Sequence, residues 1–270
     1  MTVFINFFFK IFAFFLAVSV FFILLVFLGS FFTSDTQIIK KNNFVYKDGN
    51  KDSPNIVALI KLSGPILNEP MNAIEFSFID NIQAIYVSEV KKDLNELQSS
   101  KVKGLIIVMD SPGGSVSATY NLYETIEEFK EKNNVKVYTF TNEILASGGY
   151  WAALASDKIF AGYGSLIGSI GVRGPDWIYY DNPTSISTGI LGETVETQNG
   201  IKKYNTIAGE SKDLFNSFRQ PTNKEIKSLK NIVNEIYFDF VTLVSKKRNI
   251  ENNFIIEDLG ALIFDPKNAS

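Results

Sequence analysis

Residues 103–132, "KGLIIVMDSPGGSVSATYNLYETIEEFKEK", hold three structural signals in direct succession. An apolar run at 103–110 is rich in β-formers, as expected of a buried parallel strand. Pro112 then sets a turn, Gly113 and Gly114 follow, and 117–132 repeats apolar residues at helical spacing with acidic residues outward. Strand, glycine turn and helix make up the first half of a βαβ unit. The two glycines let backbone N–H groups point into open space beside a helix N-terminus, which is the makings of an anion site. A plain connecting turn is the competing reading. Neither GxxxxGK[ST] nor GxGxxG occurs there, so the turn is not a nucleotide loop.

Downstream, "VKVYTF" (135–140) reads as the next strand, and "EILASGGYWAALASD" (143–157) sets Ser147 between an alanine and two glycines ahead of a short apolar helix. A serine so placed has small neighbours for substrate access and a helix N-terminus to favour developing negative charge. With the usual right-handed crossover, consecutive strand ends lie on one edge of the sheet. Gly114 and Ser147 are therefore expected to meet, the N–H groups of Gly114 and Gly148 flanking one carbonyl oxygen. A lone Ser-Gly-Gly is usually a tight turn; the order of elements before it argues for a nucleophile. Further out, 55–64 and 158–162 read as strands and 84–100 as a helix. Residues 222–248 form a long amphipathic helix opened by a capping box, Thr222 with Glu225. The turn-rich stretch 173–200 has no assignment. Asp110, at a strand end before Ser-Pro, is expected to cap that turn, and Tyr150 and Trp151 to pack their helix.

The 270 residues contain neither histidine nor cysteine. That excludes a Ser-His-Asp triad, a thiolate nucleophile, disulfides and most zinc chemistry. Acid-base work near neutral pH falls to a lysine, a carboxylate or a tyrosine. A lysine serves as base where burial or nearby positive charge lowers its pKa from about 10.4. With 26 basic and 29 acidic residues, net charge -3, no global basic field points to nucleic acid.

Residues 11–32 are apolar without a charge. About 20 such residues span a bilayer, whereas a secretory signal has a shorter apolar region ending in small residues. The segment reads as a retained membrane anchor, 1–32, followed by a polar linker, 33–54, and one domain, 55–270. Lys40, Lys41, Lys47 and Lys51 beyond the anchor mildly favour a cytoplasmic domain.

"DSPGGSV", "ASGGYWAALASDKIFA" and "GSLIGSIGV" (164–172) together resemble the signal peptide peptidase A family, membrane-anchored serine-lysine endopeptidases of the Clp/crotonase-like fold. The similarity runs over roughly 55–265. It implies an α/β domain of repeated ββα/βαβ units behind a transmembrane helix. It also implies that "GIKKYNTIAGESKDLFNSFR" (200–219) carries the general base at Lys212. Lys202 and Lys203 are rival bases on an apparent strand edge. Ser169 would orient the lysine, Gly114 and Gly148 would form the oxyanion hole, and Ser147 would be the nucleophile. From the same resemblance follow a homo-oligomer, no metal or organic cofactor, peptide substrates such as signal-peptide remnants, a single-pass inner-membrane location, and an extracytoplasmic catalytic domain. Residues 173–200 diverge from the family, and a closing helix and strand would follow "LGALIFDPKNAS". The competing readings are a non-catalytic membrane scaffold and a crotonase-type acyl-CoA enzyme, the latter disfavoured by Ser-Gly-Gly and the anchor.

Overall fold

The computed structural model describes residues 2–32, 44–50, 52–70, 83–99, 102–181, 183 and 199–269. Most of the linker 33–54 and of the unassigned stretch 173–200 lies outside them. The chain divides into two units, Met1–Lys51 and Asp52–Ser270. The first contains helix α1 (Thr2–Phe32). Its window Phe7–Leu24 is long and apolar enough to cross a membrane, and none of that window is buried.

In the second unit the expected strands and helices form within one to three residues of their anticipated ends. In chain order they are β1 (Val57–Ser63), β2 (Ile66–Leu67), β3 (Ile85–Tyr86), α2 (Val87–Ser99), β4 (Gly104–Asp110), α3 (Val116–Asn133) and β5 (Lys136–Thr141). There follow β6 (Ile144–Ala146), α4 (Gly148–Ala153), β7 (Lys158–Ala161), β8 (Leu166–Gly168), α5 (Asn223–Arg248) and β9 (Ile263–Phe264). Two helical turns, Asn252–Phe254 and Ile255–Leu259, lie between α5 and β9.

An all-parallel sheet of order β1-β4-β5-β7 forms the base. Each new strand adds to the same edge, so crossovers of one hand lay their helices on one face. Ala58, Ile60, Leu62, Leu105, Ile107, Met109 and Val137 are buried on that side, with Leu94 of α2 and Leu122, Ile126 and Phe129 of α3 in the same core. Val57, Leu59, Phe140 and Phe160 reach the surface, Phe140 stacking on Phe160 at 4.7 Å. Strand β4 therefore alternates between buried and half-buried residues rather than being covered on both faces.

A second layer, β6-β8-β9, stands at the C-terminal ends of these strands. It begins where β4 ends: Ser111 bridges to Leu145, donating its N–H to Ile144 O at 2.6 Å and accepting from Ala146 N at 3.0 Å. Helix α5 packs on α4, Phe240 stacking on Trp151 at 4.5 Å with Val241 and Val244 also buried. The capping box is present as read: Thr222 Oγ1 accepts from Glu225 N, and the Glu225 carboxylate accepts from Thr222 N. Residues 201–208 are irregular, not the strand edge expected around Lys202 and Lys203.

Candidate active site

Three interactions shape the turn after β4. The buried Ser111 hydroxyl donates to Gly64 O at 2.8 Å and accepts from Gly113 N at 3.2 Å. Gly113 takes φ 107°, open only to glycine at low cost. Ile66 then brackets Gly114: Ile66 N donates to Gly113 O at 2.9 Å, and Ser115 N to Ile66 O at 3.2 Å. This parallel bridge skips Gly114, whose own N–H donates to no acceptor among the described residues. A methyl at Gly114 would meet Ile66 O at 2.1 Å, so this close approach requires glycine. Ser115 caps α3, accepting from Ala118 N.

Asp110 does cap a turn, but not its own. Its Oδ1 accepts from Thr141 Oγ1 and from the N–H groups of Asn142 and Glu143, at 2.8–2.9 Å. Burial works against its charge, yet these hydrogen bonds hold the carboxyl below the ordinary aspartate value. The residue thus shapes the β5–β6 connection that delivers Ser147.

Ser147 adopts φ 52°, ψ -123°, a sparsely populated conformation for a residue with a side chain. Its N–H donates to Gly168 O at 2.9 Å, its C=O accepts from Trp151 N at 3.0 Å, and its hydroxyl does not cap the helix. A strand, a left-handed serine and an immediate helix have the geometry of a nucleophile elbow.

The glycine turn and the elbow meet as expected. A methyl at Gly113 would lie 2.8 Å from Gly148 N and 3.1 Å from Ser147 Oγ; one at Gly148 would lie 3.1 Å from Gly114 N. Two N–H groups without acceptors among the described residues therefore converge beside the serine. The Thr119 hydroxyl, buried and without a partner among the described residues, lies beneath Gly148. No motif marks Thr119 in the sequence; only its place on the inner face of α3 does.

Ser169 shares this site. Ser147, Ser169, Val172, Val233, Tyr237 and Ala261 are among the residues lining a cavity of about 410 Å³. Ser169 is also left-handed, φ 54°, and its N–H donates to Leu262 O at 2.7 Å. Tyr150 and Trp151 pack as expected: Tyr150 accepts from Arg248 Nη1 at 2.8 Å, and Trp151 lies on Phe240.

Lys212 is elsewhere. It is exposed, in a turn spanning Glu210–Phe215, and is not among the lining residues of the Ser147 cavity. Lys202 and Lys203 are exposed too, Lys203 lying 5.8 Å over the Phe218 ring. One chain thus assembles Ser147, Gly114, Gly148 and Ser169 without any of the three lysines.

The Lys212 turn is held by Arg219. Arg219 Nε donates to Asp213 Oδ2 at 2.9 Å and Nη2 to Oδ1 at 2.6 Å; Nη1 and Nη2 reach the Glu225 carboxylate at 2.9 and 2.7 Å. The guanidinium also sits 5.1 Å over Trp177. These bonds, with one from Asn216, lower the Asp213 carboxyl to about 2 and hold Glu225 well below the usual carboxylate range. Nothing in the sequence singled out Arg219, because its partners become neighbours only once the turn folds back on α5.

The domain sets a strained serine elbow against a double-glycine turn on a parallel sheet, and the expected α/β plan is the observed one. Residues 129–259 match peptidase family S49. That match is in keeping with the signal peptide peptidase A resemblance read from the motifs. A putative protease of Methanocaldococcus jannaschii is 33% identical over 186 residues, 69% of this chain and 54% of that protein. A putative signal peptide peptidase SppA of Enterococcus faecium is 29% identical, over 65% of this chain and 47% of that one. The chain spans about half the length of these curated relatives. Among solved structures, a 1510-N membrane-bound stomatin-specific protease is similar at TM-score 0.45 and 17% identity, covering 80% of this chain and 76% of its own. ClpP1 of Listeria monocytogenes is similar at 0.47 and 15%, covering 78% and 84%.

Proposed function

We propose that the chain is a membrane-bound serine endopeptidase with a Ser147–Lys212 dyad. The observation that carries this reading is the left-handed Ser147, set beside two N–H groups that have no acceptor among the described residues. Ser147 Oγ attacks a peptide carbonyl while Lys212 Nζ takes the hydroxyl proton, and the N–H groups of Gly114 and Gly148 receive the oxyanion. Lys212 returns that proton to the departing amine. It next deprotonates a water that attacks the acyl-serine ester, and on collapse Ser147 recovers a proton from Lys212. Ser169, on the wall of the same cavity, orients the amine.

Because Lys212 is exposed and absent from the Ser147 cavity, the reading takes the lysine from a neighbouring copy in a homo-oligomer. Helix α1 supplies a single-pass inner-membrane anchor, with the second unit on the extracytoplasmic side. The substrates are peptides left in or near the membrane, such as signal-peptide remnants, or other unfolded extracytoplasmic peptides. Supporting this class are the apolar helix and the name of the Enterococcus faecium relative.

The test is labelling of the detergent-solubilised full chain by a serine-reactive activity probe. Wild type is labelled; Ser147→Ala and Lys212→Ala are not; an assembly mixed from the two variants regains label. Labelling that survives Lys212→Ala moves the base to Lys202 or Lys203. An assembled but unlabelled wild type gives the chain to the scaffold reading.

A further inference from the structure

Lys212 lies between two carboxylates of its own segment, Glu210 and Asp213. A carboxylate beside a lysine favours the ammonium form and so opposes its use as a base. Both carboxylates are already taken. Asp213 accepts two bonds from Arg219 and a third from Asn216 Nδ2 at 3.2 Å. Glu210 pairs with Lys224 Nζ at 2.7 Å. Lys212 Nζ makes no hydrogen bond or ion pair among the described residues.

The turn is over-determined around this one side chain. Ser211 and Phe215 both adopt left-handed backbone, φ 61° and 65°, which persists only where surrounding contacts impose it. Arg219 joins Asp213 to Glu225, which is buried at the first turn of α5, while the Phe215 ring packs on Trp177 at 5.3 Å.

We infer that the Arg219–Asp213 and Lys224–Glu210 pairs are a positioning device that withholds both carboxylates from Lys212, so that its amine reaches a serine without a local counter-ion. The inference rests on the Lys212 reading above. The other charged and titratable groups around the turn are Glu225 on α5, Lys202, Lys203 and Tyr204 on the preceding stretch, and Arg173, Asp176, Tyr179, Tyr180 and Asp181 on the stretch packed against it. Arg173 and Asp176 pair with each other, and none of these groups supplies Lys212 with a carboxylate among the described residues. Arg219 thus acts through Asp213, and it is a positioning residue.

The test is the rate of Ser147 labelling against pH, on the full chain in detergent. Labelling climbs along an acid limb as the base loses its proton. In Arg219→Gln the freed Asp213 turns to Lys212 and the limb moves up by about one pH unit, about tenfold in rate at a pH on the limb. Adding Asp213→Asn to that variant returns the limb. Lys224→Gln, whose pair is exposed and not needed by the fold, moves the limb the same way by about twofold in rate, as befits a surface pair. That variant decides the matter should Arg219→Gln fail to fold. A uniform fall in labelling at every pH, or no return in the double variant, overturns the inference. Label retained in Lys212→Gln overturns the dyad itself; label lost there with unmoved limbs in the other variants overturns only the positioning role.

Discussion

The N–H of Ser147 donates to the carbonyl oxygen of Gly168 at 2.9 Å, tying the serine elbow to the strand that ends at Gly168, one residue before Ser169. Both serines are left-handed and both line one cavity. The β6–β8 pairing, Ala146 opposite Gly168, thereby sets two hydroxyls at one site from residues more than 20 apart in the chain.

A left-handed serine stores strain of about 1–3 kcal/mol, which glycine would relieve at some cost in chain entropy. Ser147→Gly is expected to raise stability by about 1 kcal/mol while abolishing labelling. Ser147→Ala keeps the strain and brings no such gain. Thermal unfolding of the two variants beside wild type checks this; equal midpoints would remove strain from the account.

At Gly148 an added methyl meets Thr119 Oγ1 at 2.3 Å as well as Gly114 N at 3.1 Å. Gly148→Ala is expected to cost about 1–3 kcal/mol through overpacking. It should also slow labelling by at least about a hundredfold by crowding the oxyanion site. Adding Thr119→Ala removes the closer clash, so stability returns while labelling stays low. Recovery of both together would place the hole elsewhere.

Acid should loosen the turn around Lys212 and the β5–β6 connection together. Asp110, Asp213 and Glu225 all have carboxyls held below their ordinary values in the folded chain. Groups of this kind contribute stability fully above the unfolded-state values of about 4, and lose it as pH falls through the lower folded values. The thermal midpoint is therefore expected to drop from about pH 4.5 towards pH 2, and to drop less steeply in Asp213→Asn. An Asp213→Asn slope equal to wild type would contradict the assignment.

Phe240, 1% exposed, stacks on Trp151 four residues beyond the serine. Phe240→Ala is expected to cost about 3–5 kcal/mol, the usual range for a buried aromatic. Because Trp151 loses its stacking partner, tryptophan emission should change in the folded state before any unfolding. A cost under about 1 kcal/mol would mean that α5 contributes little to holding α4.

Much of this was legible residue by residue. The apolar run 103–110, the acid-studded helix after Gly114 and the Thr222–Glu225 capping box each declare themselves within about ten residues, because periodicity and capping are local physics. The meeting of Gly114 with Ser147 followed from the handedness of a single crossover. Asp110 was read as the cap of its own Ser-Pro turn, but its partners are Thr141, Asn142 and Glu143, brought close by strand pairing across 31–33 positions.

For this chain, then, composition and local pattern set the apolar N-terminal helix, the parallel α/β plan, and a candidate site built without histidine or thiolate. What they could not set are relations that exist only after distant segments pack: the exposed apolar residues on one face of the sheet, the N–H of Gly114 with no acceptor among the described residues, and the outward place of Lys212. The last turns on Arg219, which no spacing rule connects to Asp213 and Glu225. A guanidinium takes whichever carboxylates the folded chain puts within about 3 Å, and that choice belongs to packing rather than to any local stretch of residues.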